Sequence, residues 1–279
     1  SLTAYQGLLT DAGLNLKGGQ TCLIINAAGG VGSFAVPLAK SVGATVLATC
    51  STRNLEYVNS LGADHVINYT EGSIVDATLA LFPGGVDVVF DLIGGESTAQ
   101  GYAALKEGGT LVSIVSFECA KDAPPGKTGK SIFVQPNGQQ LSLLATMFDA
   151  GSLKIPKTTS LLLKDGAQAM ADLGAHKTTG KLVLLSKPKL FVIMGYGPMV
   201  GNGAAMAFGK NGFAVALVSR TQAKLDAAAA ELTAKHGIIA KGFAADLSEP
   251  ASIPDVLDSI RSYFGGEIDV CLYNACETH

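Results

Sequence analysis

Short apolar runs alternate with longer amphipathic stretches along most of the chain. The first run, TCLIIN (21–26), is bounded by turn signals and predicts a buried strand. The next stretch, VGSFAVPLAKSVG (31–43), predicts a helix that ends on a glycine. The same order repeats in TVLATC and RNLEYVNSLG, and further strands are predicted at HVIN, VDVVFDLI and TLVSIVS. This alternation predicts βαβ units in a parallel, doubly wound sheet.

The alternation lapses after Ser116 and then resumes. Residues 117–130 are rich in Pro, Gly and Lys, which predicts a surface loop. A helix is predicted over 138–151, and residues 157–186 then predict a strand, a helix and a strand.

A polar, proline-bearing joint, SKPK (186–189), precedes a second βαβ series. Its strands are LFVIM, FAVALVS, IAKGFAA and IDVCLYNA, fewer than a doubly wound sheet usually has. The predicted fold is α/β, with two doubly wound parallel-sheet (Rossmann-like) units in tandem, the second truncated. The predicted domains are 1–187 and 188–279.

Composition narrows the class of protein. Hydrophobic residues make up 48% and charged residues 15% of the 279, so a sizeable core is expected. The net charge is −3 and no basic stripe is present, so neither nucleic acid nor an anionic membrane is an expected partner. The apolar runs are also far shorter than the roughly 20 residues of a membrane span.

Cysteine spacing gives no sign of a metal site. Cys271 and Cys276 lie near each other, but their spacing fits neither a zinc knuckle nor a redox CxxC pair. Reduced thiols and the absence of a secretion signal favour a cytoplasmic protein. Because the sequence begins SLTAYQG, without Met, we expect an excised piece of a longer polypeptide.

The motif NAAGGVG (26–32) sits between a predicted strand and a predicted helix. A dinucleotide pyrophosphate needs backbone N–H groups at a helix N-terminus without obstructing β-carbons, and this motif supplies both. The alternative is a tight turn whose glycines serve packing alone.

The end of the next strand bears on cofactor choice. It reads Ser51, Thr52 and Arg53, without the Asp or Glu that usually binds the ribose 2′-hydroxyl of NAD. Hydroxyls and a guanidinium suit a 2′-phosphate, so NADPH is favoured over NADH. The alternative is that Arg53 only caps a surface helix.

These segments, with LTAYQGL, LGADHVINYT, VDVVFDLIGG, GGTLVSI, FVQPNGQQL and HKTTGKLVLL, resemble the zinc-independent quinone oxidoreductase group of medium-chain dehydrogenases/reductases over residues 1–187. The resemblance implies hydride transfer from NADPH to a quinone or enone/enoyl-type substrate, through positioning of the two partners. It implies no metal site, and it leaves the catalytic residues unknown. The GroES-like domain of family members, which forms most of the substrate cleft, is absent from this sequence.

The resemblance also implies a set of NADPH-binding residues. The glycine loop would hold the pyrophosphate, and the segment after the second strand would hold the 2′-phosphate, with a tyrosine nearby. Two strand ends and the segment Phe133–Pro136 would line the nicotinamide half. The predicted residues are Ala28, Gly29, Gly30, Val31, Gly32, Ser51, Thr52, Arg53, Tyr69, Ile93, Gly94, Val115, Ser116, Phe133 and Val134.

A second glycine loop, MGYGPMVGNG (194–203), opens a region that resembles the start of a short-chain dehydrogenase/reductase over residues 189–277. Two registers compete for that family's TGxxxGxG motif, one on Gly197, Gly201 and Gly203, the other on Gly195 and Gly201. Eleven residues separate Gly201 from the helix-ending Gly212, which matches the family interval and favours the second register. Met199 then occupies a glycine position, where a side chain would crowd a pyrophosphate or require strained backbone at positive φ.

Other cofactor features persist in this second region. Candidate cofactor-binding residues are the two loop glycines, the end of the second strand, a pair beside the adenine and the NAG-like turn: Gly195, Gly201, Ser219, Arg220, Asp246, Leu247 and Asn274. Ala275 matches the turn, and Cys276 replaces its glycine. The family's Tyr-x-x-x-Lys pair is not found beyond it, so we expect no independent catalysis by this region.

Three functional interpretations follow. The first is an NADPH-dependent oxidoreductase fragment acting on a quinone or enone. The second is a non-catalytic nucleotide-binding or structural module, and the third is a truncated carbonyl (keto)reductase completed by a partner chain. Neighbouring domains of a larger polypeptide, or a homodimer, are the macromolecular partners that fit these interpretations.

Overall fold

The computed structural model describes residues 1–154 and 156–274. The chain forms two compact units, one of Ser1–Lys157 with Thr179–Lys181, the other of Thr158–Thr178 with Leu182–His279. These units are defined by which residues pack together in space. The predicted boundary between 187 and 188, which follows the two family resemblances, stays a prediction.

Short elements in alternation build the first unit. Its strands are β1 (Thr21–Ile25), β2 (Thr45–Cys50), β3 (His65–Asn68), β4 (Val86–Asp91), β5 (Leu105–Ser113) and β6 (Thr128–Ser131). Its helices are α1 (Leu2–Leu9), α2 (Gly32–Ser41), α3 (Leu55–Ser60), α4 (Ile74–Leu81), α5 (Glu96–Ala104) and α6 (Gly138–Asp149).

The six strands described in this unit form one parallel sheet in the order β3-β2-β1-β4-β5-β6. Residues of β1 alternate between two buried clusters, with Cys22 and Ile24 in one and Leu23 and Ile25 in the other. The strand order reverses between β1 and β4. In open sheets of this kind, ligands bind at such a switch point, beyond the carboxyl ends of the strands.

The loop predicted over 117–130 is too long, because Thr128–Ser131 forms strand β6. Its residues pair with Thr110–Ser113 of β5, although TGKS has no apolar alternation and none of its four residues is fully buried. Backbone pairing, rather than side-chain burial, therefore makes this edge strand.

The second unit repeats the arrangement with fewer strands. Its elements are β7 (Thr158–Leu162), α7 (Gly166–Gly174), β8 (Lys181–Leu185, whose first residue groups with the first unit), β9 (Lys189–Met194), α8 (Val200–Lys210), β10 (Phe213–Ser219), α9 (Gln222–His236), β11 (Ala240–Ala244), α10 (Ser252–Phe264) and β12 (Val270–Tyr273).

Within the described residues, four of these strands form a parallel sheet in the order β11-β10-β9-β12, and β7 pairs with β8 separately. The predicted fold class, two doubly wound parallel-sheet units with a smaller second one, is confirmed. In the part of the chain that is described, no helix combines the length and the apolar composition that crossing a bilayer requires.

Candidate functional site

The first glycine loop is a close-packed turn from β1 into α2. Asn26 has a φ of 68° and starts the turn. The Ser33 hydroxyl and amide both donate to the Gly29 carbonyl, at 2.7 and 3.0 Å. A β-carbon on Gly32 would lie 2.3 Å from the Asn26 carbonyl oxygen, so backbone packing alone excludes a side chain there. The glycine at 32 is thus needed by the fold itself.

Gly30 faces a different environment. The three atoms nearest to a β-carbon there all belong to the end of the Lys181 side chain, with Nζ 2.8 Å away and Cε 3.0 Å away. The backbone that carries this lysine runs beside the loop, since the Gly180 amide donates to the Ala28 carbonyl at 2.9 Å. A cation therefore lies over the part of the loop where the sequence predicts a pyrophosphate.

Sequence reasoning did not select Lys181. It lies about 150 residues from the loop along the chain. The segment HKTTGK entered only through the family resemblance, and no local pattern marks its lysine as part of the site. A contact between residues distant in sequence, the Gly180–Ala28 hydrogen bond, brings Lys181 to the loop.

The predicted 2′-phosphate segment gathers where β2 and β3 end. The Thr52 hydroxyl is hydrogen-bonded to the Thr70 hydroxyl at 2.7 Å and accepts from Asn68 Nδ2 at 2.9 Å. The Tyr69 amide donates to the Cys50 carbonyl, so Tyr69 and Ser51 lie at neighbouring strand ends. Tyr69, Thr52 and Arg53 are exposed.

Asn54 links this segment to the one beside the glycine loop. Its buried side chain accepts from the Thr179 hydroxyl at 2.8 Å and donates to the Ser51 hydroxyl at 3.4 Å. The two predicted phosphate-binding regions therefore share a structural support, which the sequence did not reveal.

The predicted nicotinamide-lining segments follow β4, β5 and β6. Gly94 has a φ of 83°, and a β-carbon there would lie 3.1 Å from a methyl of Val115. The Ile132 amide donates to the Ser113 carbonyl, which brings the residues after β6 beside the end of β5. The structure thus places Ile93–Gly94, Val115–Ser116 and Phe133–Val134 along one edge of the sheet.

Most of the large side chains in these segments face solvent. Ile93, Val115 and Phe133 are exposed, the last by 74%. Gln6 of α1 fixes the segment after β6, because its side-chain amide donates to the Gln135 carbonyl at 2.8 Å and accepts from the Gln135 amide at 2.9 Å. The result is an apolar, accessible edge on a rigid base.

A buried carboxylate, Asp91, ends β4 beneath these segments. Burial alone raises the pKa of this carboxyl. Hydrogen bonds from the Thr98 hydroxyl, the Gly94 and Ile93 amides and the Ser97 hydroxyl outweigh that effect, and the pKa lies below its usual value. With its pKa lowered, the residue is ionised at neutral pH, and both carboxylate oxygens can accept from these donors.

The second glycine loop follows the same path from β9 into α8. The helix begins at Val200, and Gly203 lies inside it with open space beside its α-carbon. This agrees with the register that uses Gly195 and Gly201. Met199 precedes the helix with a φ of −98°, so the backbone there does not require a glycine. Its side chain is 84% exposed.

Tyr196 packs beside Gly201 at the start of α8 in this loop. A β-carbon on Gly201 would lie 3.2 Å from Tyr196 Cα and Cδ2, and the Tyr196 hydroxyl donates to Asn202 Oδ1 at 3.1 Å. Burial raises the pKa of this tyrosine, with a smaller contribution from Glu231.

The remaining candidates of the second unit lie at the carboxyl ends of its strands. The Asn274 side chain donates to the Gly195 carbonyl at 3.3 Å, so these two predicted residues meet. Ser219 ends β10, and its carbonyl accepts from the Ala245 amide, one residue before Asp246 and two before Leu247. Arg220 is exposed. Ala275 and Cys276 lie outside the described residues.

Asp246 and Arg220 also interact electrostatically. Hydrogen bonds from the hydroxyl and the amide of Ser248 hold the pKa of Asp246 below its usual value, and the charge of Arg220 adds a smaller effect. This second set of candidates is therefore brought to one sheet edge, with Met199 and Tyr196 at its glycine loop.

Comparison with known proteins gives a separate family match for each of two parts of the chain. A zinc-binding dehydrogenase family model matches residues 61–184, and a short chain dehydrogenase family model matches residues 189–279. The NADPH-dependent alkenal/one oxidoreductase of Arabidopsis thaliana chloroplasts is 36% identical over 190 residues, 67% of this chain and 45% of that protein. The quinone oxidoreductase from Coxiella burnetii has a similar structure, with a TM-score of 0.59 and 34% identity over 66% of this chain and 57% of that one.

One relative matches across both units. The spectinabilin polyketide synthase system protein NorB of Streptomyces orinoci is 28% identical over 295 aligned positions, 93% of this chain and 13% of that protein.

The chain spans about half the length of the curated reductases it matches. The dehydrogenase matches indicate a nicotinamide cofactor for the first unit. Residues 1–187 are thus confirmed to resemble the quinone oxidoreductase group of medium-chain dehydrogenases/reductases, and residues 189–277 the N-terminal half of a short-chain dehydrogenase/reductase.

Proposed function

We propose that the first unit binds NADPH along the carboxyl edge of its sheet and presents the nicotinamide for hydride transfer to a quinone or an enone/enoyl-type substrate. The observation that carries the proposal is the pairing of an open glycine, Gly30, with the cation of Lys181 at the N-terminus of α2. A cation and free amide groups at a helix N-terminus suit a pyrophosphate.

The acid-free end of β2 supports the choice of NADPH. Ser51 and Thr52 supply hydroxyls, and the exposed Arg53 supplies a guanidinium beside them. An Asp or Glu at this position would repel a 2′-phosphate, whereas an arginine makes charge-assisted hydrogen bonds to it.

The apolar edge after β4, β5 and β6 supports the reaction type. Ile93, Val115 and Phe133 present exposed hydrophobic surface where the nicotinamide and a flat apolar acceptor would lie. Hydride transfer depends chiefly on bringing the two partners together, and the cofactor supplies the electrons. The names of two relatives, an alkenal/one oxidoreductase and a quinone oxidoreductase, support acceptors of this class.

The match to a polyketide synthase protein across 93% of the chain supports a place for both units within a larger polypeptide. Both would be adjoining reductase modules of a longer polypeptide, and the substrate cleft of the first would be completed by residues outside this sequence.

Cofactor titration tests the proposal. We expect NADPH to bind at least tenfold more tightly than NADH, because an arginine–phosphate hydrogen bond contributes about 1.5–3 kcal/mol. Arg53→Ala should weaken NADPH binding and leave NADH binding unchanged. Lys224→Ala, which removes an exposed cation of α9, is the matched control. Equal affinity for the two cofactors, or no effect of Arg53→Ala, would contradict the choice of NADPH.

A further inference from the structure

The carboxylate of Asp91 is fully buried at the carboxyl end of β4, and both of its oxygens accept hydrogen bonds. Oδ1 accepts from two backbone amides and a hydroxyl, and Oδ2 accepts from two further hydroxyls. The donors are Ile93 N (3.1 Å), Gly94 N (3.1 Å), Ser97 Oγ (2.8 Å), Thr98 Oγ1 (2.6 Å) and Ser113 Oγ (3.1 Å).

One of these donors extends the network to the neighbouring strand. Ser113, the last residue of β5, donates its hydroxyl proton to Asp91. Its oxygen accepts from the Val115 amide at 3.3 Å and the Ser116 amide at 3.0 Å. The loops after β4 and after β5 are thus tied to the same carboxylate, one directly and one through Ser113.

We infer that Asp91 is a positioning residue for the nicotinamide half of the cofactor, because it fixes Ile93–Gly94 and Val115–Ser116 relative to each other. The inference rests on the proposed function, since these two segments are the predicted nicotinamide-lining loops. Asp91 itself is buried, and it acts through the backbone that it holds.

The direction of the hydrogen bonds makes the charge of Asp91 essential to this role. Every partner of Asp91 donates, and an ionised carboxylate accepts from all of them. An asparagine amide nitrogen in place of Oδ2 would instead donate to the Ser113 hydroxyl. That oxygen already accepts from two amides, so the Val115–Ser116 loop would lose at least one of its bonds. The change is nearly isosteric, and it acts on hydrogen-bond direction more than on packing.

The adenosine end of the proposed site has separate supports. Ser51 and Thr52 are held by Asn54, Asn68 and Thr70, none of which bonds to the Asp91 network among the hydrogen bonds described. A ligand that carries only the adenosine half should therefore be insensitive to Asp91. A ligand that carries the nicotinamide half should not.

The experiment compares NADPH with 2′,5′-ADP, which has the adenosine and the 2′-phosphate but no nicotinamide. Affinities of both ligands are measured by calorimetry for the unmodified chain, Asp91→Asn and Ser113→Ala. We expect Asp91→Asn to weaken NADPH binding about tenfold, because misplaced loops lose their contacts, and to leave 2′,5′-ADP binding unchanged. Ser113→Ala releases the Val115–Ser116 loop alone and should give a smaller loss with the same selectivity.

Asp87→Asn is the matched control, since Asp87 lies at the amino end of the same strand and accepts from the Thr21 amide and hydroxyl, both at 2.7 Å. It should leave the ratio of the two affinities unchanged. Parallel losses of NADPH and 2′,5′-ADP binding in both Asp91→Asn and Ser113→Ala would show a role in the fold alone and overturn the inference. So would unchanged NADPH binding. If the unmodified chain binds neither ligand, the proposed function fails first, and the inference fails with it.

Discussion

The two glycine loops share a backbone path and differ in what fills the space above it. In the first, the three atoms nearest to a β-carbon on Gly30 belong to the end of the Lys181 side chain. In the second, Met199 stands before the helix and Tyr196 packs against Gly201 inside the turn. Neither second strand carries an acid at its carboxyl end, where β2 is followed by Ser51 and β10 ends at Ser219. Two turns with the same path from strand to helix can thus carry different side chains at the position of a loop glycine.

The backbone of the second loop accommodates Met199 without left-handed strain. Met199 adopts a negative φ, so its substitution at a glycine position costs no left-handed backbone strain. The condition for an unfavourable backbone, a positive φ at Met199, is therefore not met. Crowding of a pyrophosphate by the Met199 side chain stays a prediction.

Valine substitutions at two glycines of the first loop should give the largest effects. In Gly32→Val, the β-carbon would lie 2.3 Å from the Asn26 carbonyl oxygen and 2.6 Å from Ala27 Cα, so a branched side chain cannot fit. We expect a loss of several kcal/mol of stability, on the order of 3 or more, and failure of the first unit to fold. Gly30→Val should displace only the lysine side chain, keep the fold and abolish NADPH binding.

Thermal unfolding and a fluorescence titration, measured on both variants, check this prediction. If Gly30→Val melts like the unmodified chain and still binds NADPH normally, the loop is purely structural. The assignment of the pyrophosphate site would then be wrong.

Removal of the cation beside Gly30 should have a smaller effect. Lys181→Gln keeps much of the side chain and its reach but removes the positive charge. We expect NADPH binding to weaken about tenfold, as for one lost charge-assisted hydrogen bond of roughly 1.5 kcal/mol, and the loss to shrink at high salt. Calorimetry at two ionic strengths checks it, with Lys224→Gln as the control. A salt-independent loss would contradict a direct charge–phosphate contact.

The repeating elements were predictable because they depend on local sequence. Alternation of apolar strands such as TCLII and LFVIM with amphipathic helices, closed by glycines, gives both sheets. Strand β6 was missed because TGKS is an edge strand with no apolar period. Its pairing with β5 is a property of the folded sheet.

The candidate site was predictable in part. Local motifs or the family resemblance mark the loop glycines, the Ser51–Arg53 segment and the exposed loops. The residues that hold these segments in place carry no such signal. Lys181 and Gln6 come to the site from opposite ends of the first unit. In the sequence, Asp91 is marked only as a polar residue at the end of a strand. Residues that act through long-range contacts leave no spacing pattern in the chain.

We expect the first loop to bind NADPH and the second not to bind it, because Met199 stands at the position of a glycine. The most direct test is the number of NADPH molecules bound per chain, measured by calorimetry with and without Met199→Gly. Gly203→Ala is the control, because Gly203 lies inside α8 with open space around it and should not affect the count. We predict one NADPH per unmodified chain, rising toward two in Met199→Gly. Two sites in the unmodified chain would contradict the account.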